Sequence, residues 1–336
     1  MGSGHHRLFL FLRPTVYILA LISVFLLLVS SIDVNVPFLT QDIIDSSYDP
    51  RPTNLEMHLR KLRVQQTCKK YGDALRAPEL VGKKNTLIWD LRDGLIYCRI
   101  AKVASSTWTT NLLRLDPEFN ADLPESKRWL KEYGARENEA FRLYPVPKTE
   151  SKRREALLKA TKFLVVRHPM DRLVSSYLDK VADTSKEPNL LKHRDVKNAI
   201  LEKAGKEPAV ATVPSFPEFI DYVLEETNGK VGPKDWKGIM TWKSYTAKCL
   251  PCDVKYDVIM KLETHKEDER WLINTRNLTL LSKTRDWRHL SSSHSIRTNL
   301  ISQLSKKQMK DIYKNYQVDF EMFNYNMDKY LALARS

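Results

Sequence analysis

The chain has 336 residues, enough for one large domain or two small ones, and 42% of them are hydrophobic, enough for a folded core. Four cysteines are too few for a disulfide scaffold, and no internal repeat is evident. The formal charge of +14 suits a polyanionic partner, whether nucleic acid, acidic membrane surface or acidic polysaccharide, without choosing among them.

Residues 1–14 form a short tail carrying Arg7 and Arg13. Thr15–Ile32 is uncharged and almost wholly apolar. As a helix it would reach about 27 Å, close to the hydrocarbon core of a thin bilayer. Positive charge on its N-terminal side predicts a cytosolic tail and a lumenal body. A cleaved signal peptide, with Ser30 or Ser31 near the cut, is the alternative reading. Residues 33–54 carry Pro37, Pro50 and Pro52 among polar residues and read as a stem. Residues 55–336 then read as the folded domain, with a helix expected over Leu55–Tyr71 and a strand at Thr86–Leu91.

The first chemical signal is Leu95–Leu115. An apolar run of strand length, Leu95–Ile100, leads into Lys102, Val103, Ala104, Ser105, Ser106 and Thr107, and then into a helix bearing Trp108, Leu112, Leu113 and Leu115. Strand, small-residue loop and helix N-terminus is a phosphate-holding arrangement, with free N–H groups and the positive dipole end aimed at the anion. Lys102 adds a charge and the hydroxyls add donors. The nucleoside-triphosphate loop is excluded, because its lysine follows the glycines and here no glycine is present.

Residues 125–162 are rich in lysine and arginine. They read as a solvated helix face or as a lane for an acidic sugar chain. The second signal is Thr161–Val181. Phe163–Val166 has the composition of a buried parallel strand. Arg167 and His168 stand at its end, Pro169 suits a first helical turn, and Leu173, Val174, Tyr177, Leu178 and Val181 recur at helical spacing. Arg167 and Ser175 can converge on one anion. Lys180–Lys206 reads as a variable loop or lid. Ser215–Glu218 has the pattern of a capping box, as do Thr264–Glu267 and Ser305–Gln308. Cys249-Leu-Pro-Cys252 is compatible with zinc, redox or structural roles, and a structural disulfide is favoured. Four cysteines allow three pairings, and the sequence does not choose. Tyr256–Leu262 should be a core strand, placing Glu263 at its end. Arg285–Asn299, with Arg288, His289, His294 and Arg297, reads as a surface loop or as a segment near the ligand. Asn277-Leu-Thr279 is a glycosylation sequon.

Together the two signals resemble the two halves of a site for 3′-phosphoadenosine 5′-phosphosulfate. Lys102–Thr107 resembles the 5′-phosphosulfate loop, and the run from Arg167 through Pro169, Arg172 and Ser175 to Tyr177 resembles the 3′-phosphate motif. With Trp108, Trp242, Cys249, Cys252, Tyr256, Asp257, Lys261 and Glu263, the chain from about Cys68 to Tyr330 is similar to the Golgi carbohydrate sulfotransferases. The resemblance is to the group containing the chondroitin and dermatan 4-O-sulfotransferases.

The resemblance implies an α/β, P-loop-kinase-like sulfotransferase fold with a central, mainly parallel sheet flanked by helices. It implies a single-pass type II Golgi membrane protein that moves a sulfuryl group to a glycan hydroxyl, foremost GalNAc in chondroitin or dermatan, without a metal. Lys102 would stabilise the leaving group. The main chain of Val103 and Ala104 and the hydroxyls of Ser105, Ser106 and Thr107 would hold the phosphosulfate. Arg167, His168, Pro169, Arg172 and Ser175 would take the 3′-phosphate end. Glu263 is the candidate base. An acidic glycan is the expected partner, nucleic acid is not expected, and oligomeric state is not legible. The resemblance also includes departures: Ala101 stands where relatives carry proline, Ser105 where they often carry cysteine, and Thr241 where they carry histidine. An inactive polysaccharide-binding protein, or an enzyme for another glycan, therefore stays open. A kinase is disfavoured by the missing Gly-Lys-Ser/Thr loop.

Overall fold

The computed structural model describes residues 54–83, 86–117, 135–182, 193–208, 212–236, 241–282 and 294–335. The tail, the apolar span 15–32 and nearly all of the stem lie outside them, as do Lys127, Arg128, Lys131, Arg288 and His289. No helix among the described residues is long and apolar enough to cross a membrane.

The fold is mixed α/β around a four-stranded sheet in the order β1-β2-β3-β4. Strands β1 (Leu87–Asp90) and β2 (Leu95–Cys98) form an antiparallel hairpin with Asp90 opposite Leu95. Gly94 closes the turn at φ +66°, a conformation that L side chains resist. Strand β3 (Thr161–Val166) lies parallel to β2 and β4 (Val258–Lys261) parallel to β3, with Tyr97 opposite Phe163 and Leu164 opposite Ile259. The sequence encodes this directly: β2 and β3 are near-continuous apolar runs because a parallel strand is covered on both faces.

Parallel strands need crossovers, and these are helical. Between β2 and β3 come α1 (Ser105–Leu115), α2 (Ala135–Leu143) and α3 (Glu150–Lys159); between β3 and β4 come α4 (Pro169–Tyr177), α5 (Arg194–Lys203), α6 (Phe216–Thr227), α7 (Tyr245–Cys249) and α8 (Pro251–Val254). One hydrophobic core surrounds the sheet, where Trp108 of α1 packs its ring 4.9 Å from that of Phe163. A second core joins Met170, Leu173 and Val174 of α4 to Phe216, Phe219 and Ile220 of α6. It also takes Met309 and Ile312 of α9 (Lys306–Asn315) and Phe320 of α10 (Gln317–Met322).

The helix over Asn54–Tyr71 is tied to the sheet by charge and by sulfur. Arg60 donates to the buried Asp268 at 2.6 Å and to the Ile259 carbonyl at 2.9 Å. Cys68 is bonded to Cys252, and Cys98 to Cys249. The two cysteines of the C-x-x-C run therefore bond outward: Cys252 reaches the first helix and Cys249 the end of β2. The Ser215 and Ser305 capping boxes form as the sequence predicts. The Thr264 box does not, because its hydroxyl donates instead to Asp268 at 2.9 Å.

The basic run at 125–162 resolves, among the described residues, into an ion-paired helix face and a core contact. Arg154 pairs with Glu150 and Lys159 with Glu155 on α3, while Lys162 of β3 pairs with Asp257, the residue before β4. Lys180 is not the start of a loop: it is buried in a π-helical turn, Leu178–Ala182, that continues α4.

Candidate active site

The carboxyl ends of β2, β3 and β4 lie at one edge of the sheet, where open α/β sheets take their ligands. The residues that follow those strands are the β2–α1 loop with Lys102, then Arg167 and His168, then Leu262 and Glu263.

The β2–α1 loop curls without glycine. Lys102 and Ala104 both stand in the left-handed region, at φ 71° and 63°. Such backbone costs about 1–2 kcal/mol per residue and persists only where surrounding packing enforces it. The enforcement is visible: Val103 is fully buried between the two residues, and the Cys98–Cys249 bond holds the strand end. Ala104 is the N-cap of α1 and its methyl group caps nothing, so the first N–H groups of the helix keep their capacity for an anion. Ser105 and Thr107 are buried in that first turn and Ser106 is half-buried.

Arg167 joins the two motifs. Its Nη1 donates to the Lys102 carbonyl at 3.3 Å. The Tyr245 hydroxyl accepts from the Arg167 amide at 2.8 Å, fixing the end of β3. Burial pulls the Arg167 guanidinium below its usual value, opposed by Asp171 and Glu263. Arg297, from the helix His294–Ser302, sits 3.6 Å from Asp171 and adds positive charge beside Arg167. The Lys102 ammonium is 3.2 Å from Asp179, and burial holds it below the ordinary lysine value. Buried cations beside a helix N-terminus suit an anion, because burial leaves their charge poorly solvated and an incoming anion adds to the counter-charge that Asp179, Asp171 and Glu263 supply.

Other expected residues have different surroundings. Arg172 donates to the carbonyls of Ala101, Thr241 and Lys243 at 3.2, 2.9 and 2.6 Å and lies over the Tyr245 ring. It stitches the loop to the segment before α7. Ala101 and Thr241 serve it only through main-chain carbonyls, which any residue supplies. His168 is buried against Phe320, Tyr325 and Tyr330. Its Nδ1 accepts from the Met170 amide, so Nε2 carries the proton and donates to the Asn326 carbonyl at 2.7 Å. Burial drives the ring down to about 4, so it is neutral. Pro169 occupies the first position of α4, and Ser175 is half-buried two turns along it.

Glu263 does stand at the sheet edge, yet both carboxylate oxygens are engaged. One accepts from the His168 amide at 2.7 Å and the other from the Tyr325 hydroxyl at 2.9 Å. It braces the turn that carries Arg167. Sequence reading passed over Asp179, Tyr245 and Tyr325 as site neighbours. Asp179 carries a usable signal, since it lies four residues beyond Ser175. The sequon residue Asn277 is exposed at the end of the helix His265–Thr275, with φ 53°.

The chain is similar to several carbohydrate sulfotransferases. Carbohydrate sulfotransferase 11 of Rattus norvegicus is 25% identical over 284 residues, covering 82% of this chain and 77% of its own. Carbohydrate sulfotransferase 12 of Xenopus laevis is 28% identical, covering 71% of this chain and 60% of its own. Carbohydrate sulfotransferase 8 of Homo sapiens is 27% identical, covering 80% and 62%. No solved structure matches significantly. The model of the sulfotransferase family, Sulfotransfer_2, matches residues 85–326, from β1 to just beyond the α10 helix, and the chain therefore belongs to that family of enzymes.

Proposed function

We propose that the enzyme transfers a sulfuryl group from 3′-phosphoadenosine 5′-phosphosulfate to a hydroxyl of a glycan, foremost GalNAc in chondroitin or dermatan. The observation that carries this reading is the junction of the two motifs: the Arg167 guanidinium hydrogen-bonded to the carbonyl of Lys102 at the edge of a parallel sheet. The similarity to carbohydrate sulfotransferases 11 and 12 supports a glycan acceptor.

In this reading the N–H groups at the start of α1 and the hydroxyls around Ser106 hold the 5′-phosphosulfate, and Arg167, Ser175 and Arg297 hold the 3′-phosphate. His168, Pro169 and Arg172 act on the donor indirectly, by shaping the turn and the loop. The acceptor oxygen attacks sulfur in line while the bond from sulfur to the 5′-phosphate oxygen breaks, and Lys102 meets the charge that gathers on that oxygen. Glu263 acts as a brace, so the proton of the acceptor leaves to another group or to water. The protein groups meet the donor's charge, so the reading calls for no metal.

The apolar span 15–32 anchors the chain as a type II protein of the Golgi membrane, which leaves Asn277 in the lumen for glycosylation. The fold belongs with the P-loop-kinase-like architectures. Incubation of the full chain in detergent with radiolabelled donor and a panel of desulfated polysaccharides tests the acceptor. Label on chondroitin or dermatan at galactosamine is expected. Label on another glycan alone would overturn the choice of acceptor.

A further inference from the structure

The Lys102 ammonium does not stand alone. It shares one carboxylate oxygen, Oδ2 of Asp179, with Lys180: the distances are 3.2 Å from Lys102 and 2.9 Å from Lys180. Asp179 belongs to the π-helical turn after α4, a local widening that often marks a functional position. It lies one turn beyond Ser175, so α4 and its extension run from just after Arg167, past Ser175, to the tip of the Lys102 side chain. The Lys180 side chain is only 7% exposed, which puts a second charged amine in the interior beside the first.

We propose that Asp179 is the positioning residue of Lys102: it aims the ammonium across the mouth of the β2–α1 loop and, between two lysines, keeps it charged until a phosphosulfate replaces it. The inference rests on the sulfotransferase reading for its consequence but not for its geometry. Three cations converge here, Lys102 from the loop, Lys180 from the π turn and Arg167 from the β3–α4 junction. Burial pushes the Lys102 ammonium down, Lys180 and Arg167 push it further, and Asp179 acts against all of them. Without that carboxylate, the amine that loses its proton most readily is a lysine, since arginine stays protonated.

A neutral Lys102 would be useless in transfer. The acceptor oxygen forms its bond to sulfur, and the bond from sulfur to the 5′-phosphate oxygen breaks. That oxygen departs with the electron pair, and the hydroxyl proton goes to solvent or a base. A charged amine stabilises the departing oxygen far better than a neutral one. Asp179 exchanges no proton in this sequence and touches no reacting atom; its effect passes through Lys102.

Two readouts on the full chain in detergent test this. The first needs no catalysis: the rate at which the Lys102 amine is acylated by a small anhydride, followed by mass spectrometry across pH. Asp179→Asn should lower the midpoint by about one pH unit or more, the usual size of losing a close counter-ion. Asp179→Glu, which keeps the charge, should stay near wild type, and Asp179→Asn with Lys180→Met should recover part of the shift. The second is kcat/KM for the donor against pH, which reports groups of the free enzyme. Its alkaline limb should move down in the same order of variants.

Equal amine midpoints in wild type and Asp179→Asn would overturn the proposal. So would loss of the acid limb with an unmoved alkaline limb, which would make Asp179 a base. If wild type transfers no label while the midpoint shifts, the sulfotransferase reading fails and the positioning of Lys102 by Asp179 stands.

Discussion

Arg167 donates a hydrogen bond to the main-chain carbonyl of Lys102 at 3.3 Å, across 65 residues of chain. One guanidinium thus ties together both halves of the proposed anion site. Its removal should weaken donor binding and loosen the loop at once. Arg167→Ala should lower kcat and raise the donor KM together. A hydrogen bond to a charged group is worth about 1.5–3 kcal/mol, so kcat/KM should fall by roughly 10- to 150-fold. Arg167→Lys should not restore it, because an ammonium lacks the fork that serves two partners. Steady-state kinetics in donor concentration would decide this.

Arg172 should behave differently. Its guanidinium satisfies three main-chain carbonyls and contacts no acidic side chain in those bonds. Arg172→Ala leaves buried acceptors without partners and should cost about 3 kcal/mol or more of stability. The check is a fall in the urea midpoint measured beside Arg167→Ala. Unchanged stability with lost donor affinity would instead make Arg172 a direct donor contact.

The disulfides close long stretches, with sequence separations of 184 and 151 residues. Replacing Cys98 and Cys249 together by serine should cost about 2–5 kcal/mol, as should the same change at Cys68 and Cys252. The Cys98–Cys249 pair holds the strand end that enters the Lys102 loop, so its loss should also lower activity in the fraction still folded. Unfolding midpoints of the two double variants, with transfer rates at low denaturant, separate these effects.

His168 predicts an acid limit to stability. Burial lowers its folded value to about 4, against about 6.5 in an unfolded chain. The neutral ring is the folded form. Its contribution is therefore full above about pH 6.5 and is lost as pH falls toward 4, by about 3 kcal/mol in all. Asp319 and Asp90, both buried and raised to about 7, act in the opposite sense over the same range. The test is therefore the difference between wild type and His168→Asn, whose amide oxygen can still accept from the Met170 amide. That difference should shrink as pH drops from 6.5 to 4.5.

Much of this was legible in the chain. The apolar runs at Leu95, Phe163 and Tyr256 became the parallel strands, because a strand covered on both faces has little room for polar residues. Lys102 and Arg167 were readable for the same reason: the residues after such strands meet at one edge. What escaped the sequence depends on distant partners. Glu263 looks like a free carboxylate at a strand end until Tyr325, 62 residues later, and the His168 amide occupy it. The Thr264 capping box fails because a buried Asp268, itself fixed by Arg60, takes the hydroxyl. Asp179 shares a helix face with Ser175 four residues earlier, but its pairing with Lys102 depends on the π turn, which the helical spacing does not announce. The cysteine pairing needed the sheet in place before Cys98 and Cys249 could be seen as neighbours.

The most direct test of the account is one turnover of radiolabelled sulfate from donor to glycan, measured for wild type and Lys102→Ala at donor concentrations that saturate both. The account predicts transfer by wild type and a loss of about 100- to 1,000-fold in the variant, the range for removing one donor to a developing charge. Transfer at equal rates would contradict the role of Lys102. Absence of transfer and of donor binding in wild type would contradict the account as a whole.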